Sequence, residues 1–155
     1  MMHLHKYITV FTDGSCNPVQ KIGAWVAIVL IDGEKIILKG QEINTTNQRM
    51  ELTSVLNALQ YINENHPNSD VNICTDSQYV IGIQKRRPFI ERKNFLTKKA
   101  TFIRNDDLVR LLINYLDSTK IEFTKVVAHQ KSEGEVNYNR EADQIARGIV
   151  RNLNQ

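Results

Sequence analysis

KYITVFTDGSCNP occupies residues 6–18, and its first eight positions alternate: Tyr7, Thr9, Phe11 and Asp13 point one way, Ile8, Val10 and Thr12 the other. A period of two over this length predicts a strand that ends at Asp13. The following GSCNPVQKIG carries turn chemistry in Gly14, Asn17, Pro18 and Gly23. Next comes an apolar run, AWVAIVLI (24–31), which reads as a buried strand. Asp32-Gly33 is a strong hairpin signal, and EKIILKG after it makes a third strand. Three antiparallel strands therefore open the chain.

Downstream the period changes. Leu52, Val55, Leu56, Leu59 and Ile62 have helical spacing within 48–64, with Thr46 or Asn47 as cap. HPNSD stops that helix, and VNICTD (71–76) forms a fourth strand. A strand that follows a helix is expected to lie parallel to the first, through a right-handed crossover. SQYVIGIQKRR begins a helix expected to break before Pro88. DDLVRLLINYLD (106–117) is an amphipathic helix capped by Asn105 or Asp106. KIEFTKVVAH (120–129) supplies a fifth strand, and a last helix runs from about Arg140 to Asn152. The expected architecture is α/β: one five-stranded mixed sheet, three antiparallel strands then two parallel ones, flanked by helices. A length of 155 residues fits one domain, residues 1–155.

Composition excludes several classes. The hydrophobic share of 41% and charged share of 24% are ordinary for a soluble globular chain. No apolar run approaches a membrane span, and MMHLHKYITV is too short and polar for a signal peptide. Cys16 and Cys74 are too few for a disulfide framework and form no zinc-type pair, which points to a reducing, cytoplasmic location. Net charge is +3, yet 85–104 holds eight Lys or Arg against Glu91 alone. That segment is +7, leaving −4 for the rest. A basic patch on a mildly acidic body suits a polyanion, although a charge run taken alone is more simply explained as a solvated helical face.

The acids carry the chemistry. FTDGS (11–15) and CTDSQ (74–78) end two strands alike, so parallel strands bring Asp13 and Asp76 out at one sheet edge. The carboxyl edge is where open α/β sheets bind ligands. A single such Asp is explained as a turn or cap residue; two at matching strand ends are not so easily dismissed. Glu51 has Val55, Ala58 and Ile62 at i+4, i+7 and i+11, which sets it on an apolar helix flank. A charge there needs a partner, and Arg49, two residues away, does not face it. Asp143 repeats the pattern with Ala146 and Val150, or serves as a first-turn acid favouring the helix dipole. Four acids without His or Cys ligands suit a hard cation, Mg²⁺ with Mn²⁺ as substitute, rather than zinc. Two such ions are standard machinery for phosphodiester cleavage. His129, closing the fifth strand, could move protons at the leaving group.

Taken together, TDGSCNP (12–18), TTNQRMEL (45–52), TDSQYV (75–80), RNDDL (104–108), VVAH (126–129) and NREAD (139–143) resemble the signature segments of type 1 ribonuclease H, in the family's order and across nearly the whole chain. The resemblance implies an endoribonuclease that hydrolyses the RNA strand of RNA–DNA hybrids by two-metal-ion catalysis, leaving 5′-phosphate and 3′-hydroxyl ends. It implies that Asp13, Glu51, Asp76 and Asp143 hold the metals and that His129 is the loop histidine. Substrate contacts are implied for Asn17, Asn47 and Gln48 in the minor groove, for Gly14, Ser15, Cys16 and Gln78 beside the acids, and for Thr46 and Asn105 at a DNA phosphate. Lys85, Arg86 and Arg87 begin a stretch, about 85–105, that looks like the family's basic handle. The chain departs from some relatives in placing Asn44 where they carry arginine, in lacking a handle tryptophan, and in a longer stretch from His129 to Asp143. A monomer acting on a hybrid duplex, with no membrane, is expected. Competing readings are a non-catalytic hybrid-binding module, a ribonuclease H domain of reverse-transcriptase origin, and a structural calcium-binding protein.

Overall fold

A computed structural model describes residues 5–127 and 137–153. The order is β1 (Tyr7–Asn17), β2 (Ile22–Ile31), β3 (Glu34–Glu42), α1 (Asn47–Asn65), β4 (Asp70–Thr75), α2 (Gln78–Arg92), α3 (Asp106–Ser118), β5 (Ile121–Lys125) and α4 (Tyr138–Leu153). The strands form one sheet in the order β3-β2-β1-β4-β5. β1–β2 and β2–β3 are antiparallel, whereas β1–β4 and β4–β5 are parallel. This is the mixed sheet expected from the sequence. Asp32 and Gly33 both have positive φ, 51° and 78°, which is the conformation that a two-residue type I′ hairpin requires.

The alternation in β1 sorts the core into two layers. Ile8 and Val10 pack with Val29, Ile73, Leu52 and Leu112 on the face covered by α1, α2 and α3. Phe11 points to the other face, where Val26 and Ile28 meet Ala142 and Ala146 of α4. Two fully buried alanines let α4 lie close to the sheet. Phe11 stacks obliquely on Tyr138 with centroids 5.4 Å apart, and Lys35 reaches Glu141 at 2.9 Å. Asp13 shares Phe11's parity, so the pleat turns it towards α4.

Several boundaries differ from expectation. β1 does not stop at Asp13: Gly14–Asn17 stay paired with Trp25–Ile22, and the turn follows at 18–21. Pairing with β2 overrides the local turn tendency of Gly and Asn. α2 does not break before Pro88 but continues to Arg92. Proline removes a single helical hydrogen bond, and buried Ile90 anchors the turn beyond it. β5 ends at Lys125 rather than 129, with Val126 still donating its N–H to the Thr75 carbonyl at 2.9 Å. α4 begins at Tyr138, two residues earlier than expected. His129 lies outside the described residues.

Candidate active site

β1 and β4 run in parallel register, Phe11 beside Cys74, so Asp13, still within β1, and Asp76, just past β4, lie level with one another, each two residues further on. Glu51 arrives from α1 because β1 and that helix touch at Gly14. A Cβ on Gly14 would sit 2.5 Å from the Glu51 nitrogen and 2.6 Å from the Met50 carbonyl carbon. Only glycine allows that backbone approach. Asp143 follows buried Ala142 on α4. Four separate elements thus send an acid to one edge.

The acids sense one another. Asp13, only 6% exposed, has its carboxyl pushed from the usual 3.8 up to about 8. Burial is the main cause; the charges of Asp76 and Asp143 come next, then a hydrogen bond with Asp143, while the Gly14 N–H works in the other direction. Glu51 is also raised, first by burial and then by Asp76, against two opposing hydrogen bonds. Those bonds come from Ser77 Oγ at 2.6 Å and Asn47 Nδ2 at 2.9 Å. Arg147, one turn along α4, donates to Asp143 at 3.0 Å. Among the described residues, no three His, Cys, Asp or Glu side chains are already drawn together closely enough to hold an ion. In kind, however, the donors fit a hard cation: all are carboxylates, and a divalent ion would offset both the burial and the neighbouring charges that raise the Asp13 carboxyl.

The other expected residues divide into groups. Ser15 is half-buried on β1, and Cys16 Sγ lies 3.5 Å from the Thr45 carbonyl. Asn17 uses its Oδ1 to accept the Val19 and Gln20 N–H groups, which fixes the β1–β2 turn. Thr46 caps α1 by accepting the Arg49 N–H at 3.2 Å, so Thr46 rather than Asn47 is the cap. Gln48 follows Asn47 in the first turn of α1, and Gln78 opens α2 with an exposed side chain. Asn105 precedes α3 in the left-handed region, φ 61°, without capping that helix through its side chain. Its amide donates to the Tyr79 hydroxyl at 3.1 Å and accepts from Arg49 at 3.4 Å. Arg49 also grips both oxygens of Asp107, at 3.0 and 2.8 Å. Thr46 and Asn105, far apart in sequence, are linked through one residue, Arg49, whose backbone N–H donates to Thr46 and whose guanidinium donates to Asn105.

In the basic stretch Lys85 and Arg86 are exposed, and Arg86 lies 5.8 Å from the Tyr79 ring. Arg87 instead pairs along the surface with Glu91 at 2.5 Å and with Asp117. Sequence reasoning missed Ser77, Arg147 and the Arg49–Asp107 pair. Ser77 carried one usable signal, its position as a helix cap directly after a strand that ends in an acid.

The family model described as RNase H matches residues 5–151. The chain belongs to the ribonuclease H family. A ribonuclease H of Caldicellulosiruptor saccharolyticus is 31% identical over 150 residues, covering 96% of this chain and 99% of the relative. One from Wolbachia of Drosophila simulans is 33% identical over 146 residues, with 94% and 96% covered. In fold, this ribonuclease H is similar to the crystal structure of LC9-RNase H1, described as a type 1 RNase H with the type 2 active-site motif. The TM-score is 0.77 at 22% identity, covering 95% of this chain and 73% of that one. As a ribonuclease H the chain is a hydrolase and a nuclease.

Proposed function

We propose that this ribonuclease H cuts the RNA strand of RNA–DNA hybrids, with Asp13, Glu51, Asp76 and Asp143 as its catalytic acids and metal ligands. One observation carries the reading: acids from β1, α1, the β4 end and α4 converge on one sheet edge and perturb one another. These four acids would hold two Mg²⁺ ions, or Mn²⁺ in their place, and the chemistry such ions would supply is activation of a water and neutralisation of charge on the leaving 3′ oxygen. Everything else falls to the chain. Ser77 and Asn47 orient Glu51, so its carboxylate meets the cation without first finding a rotamer. Arg147 steadies Asp143 from the solvent side. Burial of Asp13 weakens competition from bulk water for its oxygens.

Substrate choice follows from the groups around the acids. A hybrid is recognised by its shape, its phosphates and the 2′-hydroxyls of its RNA strand. Gly14, Ser15, Cys16 and Asn17 on β1, Asn47 and Gln48 on α1, and Gln78 on α2 offer backbone and neutral polar groups for those hydroxyls. Thr46 and Asn105, joined through Arg49, form a site for one DNA phosphate; Arg49, itself held by Asp107, is the cation beside it where Asn44 offers none. Lys85 and Arg86 provide salt-dependent affinity, while Arg87 serves that role less because two acids already hold it. His129 is proposed as the group that moves a proton at the leaving oxygen. The chain is read as a single catalytic domain, monomeric and cytoplasmic. Two cysteines without a disulfide support that location, and among the described residues no helix is long and apolar enough to cross a membrane. A non-catalytic binding module would have no use for mutually repelling acids, which favours the enzyme.

The test is cleavage of labelled RNA in a hybrid with and without Mg²⁺, beside single-stranded RNA and duplex DNA. Cutting confined to the RNA of the hybrid, and dependent on the cation, is the expected result. Equal cutting of single-stranded RNA would refute the substrate assignment.

A further inference from the structure

A groove of about 680 Å³ opens beside Asp143, lined by Ser15, Arg140, Gln144, Arg147 and Arg151. Positions 140, 144, 147 and 151 are spaced four, three and four apart, so they form one stripe along α4. The sheet-facing side of the same helix is taken by Ala142 and Ala146. Arg140, Gln144, Arg147 and Arg151 are all exposed. Three guanidinium groups against one carboxylate make the groove basic. Their planar forks match phosphate oxygens in pairs. From Arg140 to Arg151 the helix rises about 16 Å, and one strand of a duplex carries roughly five phosphates over that distance.

We infer that this stripe is a second phosphate-binding subsite, which takes the RNA strand of the hybrid a few nucleotides beyond the cleavage point. The inference rests on the hybrid-cleaving reading above. Three features select the RNA strand. The groove shares Asp143 with the acids, so a strand leaving them runs directly into it. Ser15 and Gln144 add neutral hydrogen-bonding groups suited to 2′-hydroxyls. The handle, by contrast, belongs to α2 and the segment before α3, which pack on the opposite face of the sheet from α4. The duplex is thereby held by cations on both sides of the acidic edge. Only one of those two basic surfaces stands out as a charge run; the other is dispersed through an amphipathic helix.

The experiment compares wild type with Arg140→Gln/Arg151→Gln, leaving Arg147 in place because it holds Asp143. The double variant is expected to raise KM roughly three- to tenfold at moderate salt, keep kcat within about twofold, and flatten the salt dependence of binding by about 1.8 logarithmic units per decade, two phosphates' worth. Arg140→Lys/Arg151→Lys restores most of that slope, and melting curves report that each variant folds. A second arm needs no variant: uncharged methylphosphonate linkages are placed two to five nucleotides from the cut, in the RNA strand or in the DNA strand. Neutral linkages in the RNA strand weaken binding by wild type and add little to the glutamine variant. An unchanged KM and salt slope in the double variant, or an effect confined to the DNA strand, overturns the subsite while hybrid cleavage by wild type stands. A wild type that cuts no hybrid overturns the underlying reading as well.

Discussion

The acidic edge and the basic handle manage charge in opposite ways. At the edge, burial first and then the crowding of like charges push the Asp13 carboxyl up to about 8 and raise Glu51 with it. In and around the handle, cations are matched within the fold. Arg87 is held by Glu91 and Asp117, and Arg110 from α3 lies 3.9 Å from the centre of the Phe95 ring and 5.5 Å from that of Phe102. Phe89 has Arg92 and Lys93 over its ring at 5.6 and 6.0 Å. Arg49 likewise draws Asp107 below its usual range through a hydrogen bond. At the edge the crowding of acids is only partly offset, by Ser77, Asn47 and Arg147, and a cation would relieve it; the paired cations around the handle fold whether or not a ligand is present. Unfavourable charge placement persists in folded proteins chiefly where function uses it.

The contrast can be broken in several places, in decreasing order of effect. Asp13→Asn or Asp76→Asn should lower the cleavage rate by about a thousandfold or more, since each would remove a proposed ligand of the shared cations. Binding of the hybrid, measured by anisotropy, should change by less than about threefold. Gly14→Ala comes next. Its methyl must displace the backbone of Met50 and Glu51, so a loss of roughly 2–3 kcal/mol of stability is expected, together with slower cleavage as Glu51 moves away from Asp13. Thermal melts and initial rates read the two effects separately.

A pH series sharpens the same comparison. In the metal-free fold Asp13 keeps its proton up to about 8, whereas the unfolded chain releases it near 3.8. The folded state therefore binds more protons within that window, and its stability falls as pH rises from about 4 to about 8. Asp13→Asn removes the fall. At pH 8 without divalent cation the variant should be the more stable protein, by on the order of 1–3 kcal/mol, which corresponds to ~2–4 °C of Tm per kcal/mol. At pH 4 the two should melt together.

The handle gives smaller effects. Replacing Lys85, Arg86 and Arg87 together with Ala should raise KM about tenfold at low salt and flatten its salt dependence, with kcat little changed. Arg87→Ala alone should do the reverse of a substrate contact. It should cost below about 1 kcal/mol of stability, as exposed ion pairs do, and leave KM nearly unmoved.

Much of this was legible in the sequence. Asp76 is readable because periodicity fixes where β4 ends and the crossover fixes its direction; Asp13 is level with it through the parallel register, although β1 runs on to Asn17. Glu51 and Asp143 are readable because an acid on an apolar flank is out of place. Asp32-Gly33 announces its own turn. What escaped depends on contacts between distant residues. The continuation of β1 through Gly14–Asn17 is decided by pairing with β2, against local turn preference. Arg49 could be excluded as a partner for Glu51, yet nothing local points to Asp107, 58 residues further along. The course of α2 past Pro88 depends on the burial of Ile90. Ser77 resembles any helix cap until Glu51 is found 2.6 Å away.

The most direct test of the acidic edge is a pH titration of the Asp13 side-chain carboxyl carbon by NMR, with and without Mg²⁺. Metal-free protein should give a midpoint several units above the ordinary aspartate value. Added Mg²⁺ should move that midpoint sharply down as the cation replaces the proton. An Asp13 that titrates in the ordinary range, or one whose midpoint ignores Mg²⁺, would contradict a shared cation site among these four carboxylates.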